Sequence, residues 1–289
     1  MSLTTTPTSA SMTSRPAWTP RALHWSLRIG AAMCFIGHGA FGIRVKEGWV
    51  PFFQALGFDS TLAHRLMPIV GTFDITMGIT VLLSPCRAVL AWMSFWALFT
   101  AFLRPLAGQG FWEVLERAGN YGVPMTFLAL SGLGRSWREW FEPIMPGDTP
   151  ARHGVSMEQA GRMLRWTTAI LLLGHAGYGA FMHKTMLQDH YAAIGITSTA
   201  TAVSAVGWFE IVLAAGVLLA PVPALLLFVF AWKVGTELLY PMSGSPFWEF
   251  IERGGSYVAP IGLLLIQTGA KKVVEPVPRV APAVEESLA

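Results

Sequence analysis

Charge is scarce in this chain: only 13% of its 289 residues are Asp, Glu, Lys or Arg, where a water-soluble domain carries about 25%. Hydrophobic residues make up 53%, and the mean hydropathy is +0.49. So apolar a composition excludes a soluble domain and reads as an integral membrane protein. Cysteine is nearly missing too. Cys34 and Cys86 form no CxxC, which excludes a disulfide framework and a thiol redox motif. No Walker loop, no GxGxxG opening a helix after a strand, no GxSxG and no HExxH occurs, so nucleotide-driven transport, dinucleotide binding and the familiar hydrolases have no support. The net charge of +3 comes from cations scattered around apolar segments, without the basic, aromatic-interleaved cluster that nucleic acid needs. The Ser-, Thr- and Pro-rich first 20 residues lack the short apolar core and small-residue cleavage site of a signal peptide and read as a disordered cytoplasmic tail.

What is present is present twice. Gly37-His38-Gly39-Ala40-Phe41-Gly42 is echoed by Gly174-His175-Ala176-Gly177-Tyr178-Gly179, and the run from Phe111 to Arg117, FWEVLER, by FWEFIER from Phe247 to Arg253. Between them, Phe73-Asp74 to Leu82-Leu83-Ser84-Pro85 recurs as Phe209-Glu210 to Leu218-Leu219-Ala220-Pro221. The offset is 137 at the histidines and 136 elsewhere, and a near-constant offset over so long a span reads as tandem duplication.

Stretches of roughly 20 apolar residues, the length that crosses a bilayer core, run from Ala22 to Gly42, Leu62 to Leu83, Arg87 to Leu106 and Phe111 to Leu133 in the first copy. The second copy supplies Met163 to Phe181, Thr199 to Ala220, Ala224 to Met242 and Phe247 to Thr268. The expected fold is all-α, with eight transmembrane helices as two parallel four-helix repeats. An even number of spans per copy starts each copy on the same side, so the pseudo-twofold axis lies along the membrane normal. The expected organisation is a tail over 1–21, a first repeat over 22–134, a cytoplasmic or interfacial linker over 135–158, a second repeat over 159–269 and a disordered tail over 270–289. Twelve Lys and Arg, from Arg15 to Arg279, fall on the side of the termini, against seven on the other side, among them Arg44, Lys46 and Lys184. That excess predicts both termini in the cytoplasm and, with compact loops, a multi-pass protein of the bacterial inner membrane.

Ionisable groups inside apolar spans are costly unless paired or facing a cavity. His38 and His175 sit near the outer ends of the first and fifth spans. They read either as hydrogen-bonding groups of a ligand pocket or as packing residues bonded to a carbonyl across the bundle. Asp74 and Glu210 lie mid-span at corresponding positions and call for a cation, Arg104 in the first copy and Lys233 in the second. Lys233 and Glu237, four apart, share a helix face, and their counterparts are Ala97 and Ala101, so the second copy carries an ion pair that the first lacks. The Phe-Trp-Glu segments open the last span of each copy, with Glu113 to Arg117 and Glu249 to Arg253 spaced i,i+4 and Ser245-Pro246 as the expected cap. Glycines and then Pro124 and Pro260 follow. A helix so interrupted leaves backbone groups free, which at membrane depth is tolerated mainly along a cavity. The alternative is a surface cap, with Trp112 and Trp248 anchoring at the interface and acid paired to arginine.

The arrangement resembles the DoxX-like superfamily of four-helix membrane proteins, which includes the DoxD subunit of thiosulfate:quinone oxidoreductase. The resemblance rests on His38-Gly39 in the first helix, on the acid followed by an apolar run at Asp74 to Leu83 and Glu210 to Leu219, and on the acid before the last helix. It covers approximately residues 22 to 269 as two copies of the unit. Many members carry a lysine four residues after the histidine, where this chain has Gly42 and Gly179. The resemblance implies a quinone-linked or oxidative-stress-linked membrane role for some members and an assembly role for others.

The function expected from these readings is a membrane subunit that binds a quinone or similar amphipathic molecule. His38 and His175 would bond the ligand, with Arg253 beside them. Glu113, Glu249 and Glu252 would transfer protons, and Trp112, Trp248 and Tyr257 would form the apolar wall. Nothing in the chain carries electrons by itself, so a redox role calls for a membrane or periplasmic partner subunit. A small-solute or ion transporter and a membrane scaffold are the alternative classes. Ligand spacing is not diagnostic for metal or haem, and neither is expected.

Overall fold

A computed structural model describes residues 18–271 apart from 149. Of the tails read from the sequence over 1–21 and 270–289, residues 1–17 and 272–289 lie outside the described residues. Those described form helices and no strand.

The first half comprises α1 (Trp18–Ile43), α2 (Val50–Ala55), α3 (Ser60–Leu83), α4 (Arg87–Leu106), α5 (Trp112–Glu116) and α6 (Ala118–Ser131). A short linker helix, α7 (Trp137–Phe141), follows. The same order then recurs as α8 (Met157–Ala180), α9 (Thr185–Ala193), α10 (Thr199–Leu219), α11 (Pro223–Met242), α12 (Trp248–Glu252) and α13 (Gly254–Lys271). Local chemistry sets several boundaries. Asp59 caps α3 by accepting from the Leu62 N–H at 2.8 Å. Ser156 and Gln159 form a capping box at the start of α8, and Pro223 occupies the first turn of α11, where its missing N–H costs nothing.

Some elements depart from the sequence expectation. α1 begins at Trp18, inside the segment expected to be tail. Helices α2 and α9 fill loops for which no element was expected. The Ser245-Pro246 cap does not form: α12 begins at Trp248 with Phe247 already helical, and no side chain caps it. Each segment expected as the last span of its copy is broken in two. The chain passes through Arg117 (φ −85°, ψ 12°) and Arg253 (φ −93°, ψ 16°), which leave the helical path for one residue before α6 and α13 resume.

The halves interlock. α1 packs on α3 of its own half and on α12 and α13 of the other, while α8 packs on α10 and on α5 and α6. Two glycines permit this approach. A Cβ on Gly37 would run into the backbone of Glu252, and one on Gly174 into the backbone of Glu116. At the centre α6 and α13 cross at Gly119 and Gly255, each filling the space a Cβ of the other would need. Leu23, Leu27, Phe127, Leu164, Leu171 and Leu263 close the core around that crossing. Arg28 Nε donates to the Val81 carbonyl at 2.9 Å and Arg165 Nε to the Val217 carbonyl at 3.1 Å, so an arginine satisfies an end carbonyl of α3 and of α10 in the same way.

Among the described residues, five helices are long and apolar enough to cross a membrane: α1 from Pro20, α3, α4, α10 and α11. The apolar window of α1 is 67% buried, against 28–33% for the other four, so α1 is central and the others present most of their apolar surface outward. Ile69, Phe73, Phe95, Trp208 and Phe228 stand exposed on them, a surface suited to a lipid environment.

Candidate functional site

His38, near the end of α1, places Nδ1 3.0 Å from Oδ2 of Asp74 on α3, and its ring lies 4.4 Å from that of Trp49. Asp74 is 1% exposed, and its Oδ1 has no hydrogen-bond partner. Two chambers meet at His38, Trp96, Thr100 and Arg104. The inner one, about 20 Å³, continues to Cys34, Arg117, Asn120 and Glu252 and is water-sized. The outer one, about 60 Å³, is walled by Trp49, Phe52, Phe53, Val70 and Leu103, with exposed Leu56 at its rim. Trp248 packs against this aromatic cluster. The result is an apolar slot with a histidine and an arginine at its inner end.

Arg104 does not reach Asp74 as an ion partner. Its Nη1 lies 3.2 Å from Gln109 Oε1 and 3.5 Å from Glu113 Oε2, and its guanidinium stands over Phe52 at 5.0 Å. Glu210, the counterpart of Asp74, accepts from the Trp232 indole at 3.0 Å, and Lys233 instead lies 2.8 Å from Glu237 Oε1.

Between the halves lies a buried charge network with a repeated plan. Arg117 Nη1 meets Glu113 at 2.8 Å and Glu116 at 2.5 Å; Arg253 Nη1 meets Glu249 at 2.8 Å and Glu252 at 3.1 Å. Each half also lends a lysine to the other. Lys46 lies 2.6 Å from Glu249 and over the Phe41 ring, and Lys184 bonds Glu113 and lies over the Tyr178 ring. The plan breaks where Glu237 replaces Ala101. Arg253 Nε lies 2.8 Å from Glu237 Oε2, and His175 Nε2 lies 3.1 Å from Glu237 Oε1 and 3.3 Å from Glu116 Oε1. A small second cavity sits here among His175, His190, Glu210, Glu237 and Tyr240. His190, on α9 and 2% exposed, packs its ring 4.3 Å from that of Tyr240 and has no partner for Nε2. Burial, and then the Arg253 charge, lower its pKa below the ordinary histidine value.

Of the residues singled out from the sequence, His38, Arg104 and Glu252 meet around the inner chamber, with Asp74 behind the histidine. His175, Glu210 and Glu237 line the second cavity. Glu113, Glu249 and Arg253 belong to the charge network. Trp112 stacks on Phe181 at 5.4 Å, and Tyr257 donates to the Phe250 carbonyl at 2.8 Å; neither lines the first-half chambers. Sequence reasoning missed Trp49, Phe52, Trp96, Glu116 and His190. The aromatic run around Pro51 was the available signal for the first two, and the repeat of Glu116 at Glu252 for the fourth. Among the described residues no group of three or more His, Cys, Asp and Glu is arranged to hold a metal ion.

Fold and site together define an all-helical protein with membrane-length apolar helices around a buried polar interior. No known protein family model, curated protein or solved structure matches the chain.

Proposed function

We propose that this is a membrane subunit that binds a quinone or a similar amphipathic ring in the first-half pocket, within an oxidoreductase complex of the kind the DoxX-like resemblance suggests. In this reading the chain crosses a bacterial inner membrane eight times as two parallel repeats, with both termini in the cytoplasm. The broken pairs α5–α6 and α12–α13, together with the more polar α8, complete the five long apolar helices. Electrons would come from, or pass to, a partner subunit.

The observation that carries the reading is the graded pocket. Trp49, Phe52, Phe53 and Leu103 offer an apolar wall, and His38 and Arg104 offer polar atoms only at its inner end. Ligand sites for flat amphipathic molecules have that composition, mostly apolar with a few convergent polar groups. The test is extraction of the protein purified in mild detergent, with quinones quantified by mass spectrometry and co-purifying polypeptides identified. Near-stoichiometric quinone is expected, reduced several-fold in His38→Ala and Arg104→Ala. Quinone-free, folded protein refutes the reading.

The buried network between the halves favours a second reading, a proton- or solute-conducting protein, because charges held inside a bundle commonly line such pathways. Flux in sealed vesicles that is lost in a Lys233→Ala protein shown to be folded would support it, and unchanged flux would remove it.

A further inference from the structure

The outer chamber of the first half has one permanent charge on its wall. Arg104 lies there beside Trp49, Phe52 and Leu103, and no carboxylate is among the lining residues. A guanidinium stays protonated at any working pH, so this charge depends on no titration. The inner chamber differs, because Glu252 and Arg117 line it as well. The second half has no such arginine. At the offset of 136 the counterpart of Arg104 is Tyr240, whose ring packs against His190 and Arg253.

Arg104 is poorly neutralised. Its acid neighbour is Glu113 at 3.5 Å, and that carboxylate is already met by Arg117 at 2.8 Å and bonded by Lys184. Arg253, by contrast, has three carboxylates within 3.1 Å. Among the described residues Arg104 makes one hydrogen bond, from Nη1 to the Gln109 amide at 3.2 Å. Its Nε and Nη2 have no partner there, and neither is sealed in the interior. The guanidinium stands over the Phe52 ring at 5.0 Å, and Phe52 is part of the outer wall, so the open side of the fork borders the slot. A charge among apolar groups whose counter-ion is distant and shared is costly, and an anion placed beside it lowers that cost. Carboxylate-like oxygens also match the planar fork.

We infer that the first-half pocket selects an acidic ring ligand, one that carries an ionised hydroxyl or carboxyl, over a neutral ring. This rests on the ring-binding reading above. The anionic oxygen lies at Arg104, and the ring and its tail lie along Trp49, Phe52 and Leu103, away from Glu252. A neutral quinone offers the fork carbonyl oxygens alone and leaves the charge of Arg104 as it was.

The test is calorimetric titration of the full chain in mild detergent with two probes, each corrected against protein-free micelles. One is a decyl-tailed hydroxynaphthoquinone, ionised at mildly alkaline pH, and the other is the matching methylnaphthoquinone, which has no acidic hydroxyl. The acid is expected to bind about tenfold tighter, the ratio that one charge-assisted bond supplies. His38, backed by Asp74, is the other titratable group on that wall. Once the acid probe is itself protonated at lower pH, the two affinities should converge whatever the state of His38. In Arg104→Met the two probes should bind alike, the acid losing more than the neutral ring. Equal binding to the unaltered protein, preference for the neutral ring, or a preference that survives protonation of the probe or a folded Arg104→Met overturns the inference and leaves the pocket a ring site. Failure of both probes to bind overturns the ring-binding reading as well. The comparison across pH on the unaltered protein decides the matter even where the variant does not fold.

Discussion

At the residue scale, Lys233 and Glu237 are ionisable side chains with no exposed surface at all. Such a pair holds only because each charge has the other within 2.8 Å and because Arg253 and His175 close around the carboxylate. Lys233 Nζ and both Glu237 oxygens make no well-aligned hydrogen bond, so geometry compensates only part of the desolvation cost. Among the described residues Lys233 has Glu237 as its sole ion-pair partner, so Glu237→Leu leaves a buried charge without a counter-ion and should cost about 3–5 kcal/mol of stability. Lys233→Met combined with Glu237→Leu should recover most of that loss. Thermal unfolding of the three proteins in detergent reads the difference, and a double variant as unstable as the single one contradicts the account. The i,i+4 spacing made this pair legible from sequence. Its third partner was not, because Arg253 lies at the break between α12 and α13 and only the packing of α11 on those two helices brings it in.

At the scale of elements, the approach of α8 to α5 depends on Gly174. A Cβ there meets the α5 backbone, which has no rotamer to move away, so Gly174→Ala should destabilise by about 1–3 kcal/mol. Gly235, in the middle of α11, has nothing near the position of its missing Cβ, and Gly235→Ala should stabilise by about 0.4–1 kcal/mol by restricting the unfolded chain. Opposite shifts in melting temperature are expected, and shifts of the same sign would refute the packing argument. The short helix α9 has its own titration. His190 has a lowered pKa in the fold, so it stays neutral there while the unfolded chain takes up a proton near the ordinary value of about 6.5. Its contribution to stability is therefore present above that pH and declines as pH falls below it. The protein should lose stability relative to His190→Phe as pH falls below about 6.5, and parallel curves would show that His190 does not titrate on unfolding.

On the scale of the whole molecule, each half completes the other. α1 is seated on α12 and α13, α8 on α5 and α6, and Lys46 and Lys184 reach across to Glu249 and Glu113. In the linker between the halves, Gly147 touches nothing at the position of its missing Cβ. A protease site inserted at Gly147 and cut after purification should leave two fragments that co-elute in detergent. Separate elution would show that the linker, rather than the interface, holds the halves together.

The sequence by itself determined the helical class, the recurring order of motifs and, to within a residue, the limits of α4 and α11. These are properties of local composition: α4 runs over Arg87–Leu106 and α11 over Pro223–Met242 because apolar runs and proline signals say so along the chain. It also placed charge at Asp74, Glu210, Lys233 and Glu237. Only the tertiary structure decided who pairs with whom. Asp74 takes His38 rather than Arg104, Glu210 takes Trp232 rather than Lys233, and Arg104 turns to Glu113. Hydropathy and periodicity report where a side chain sits along its own helix. Partner choice inside a bundle depends on distances of a few ångströms between helices remote in sequence.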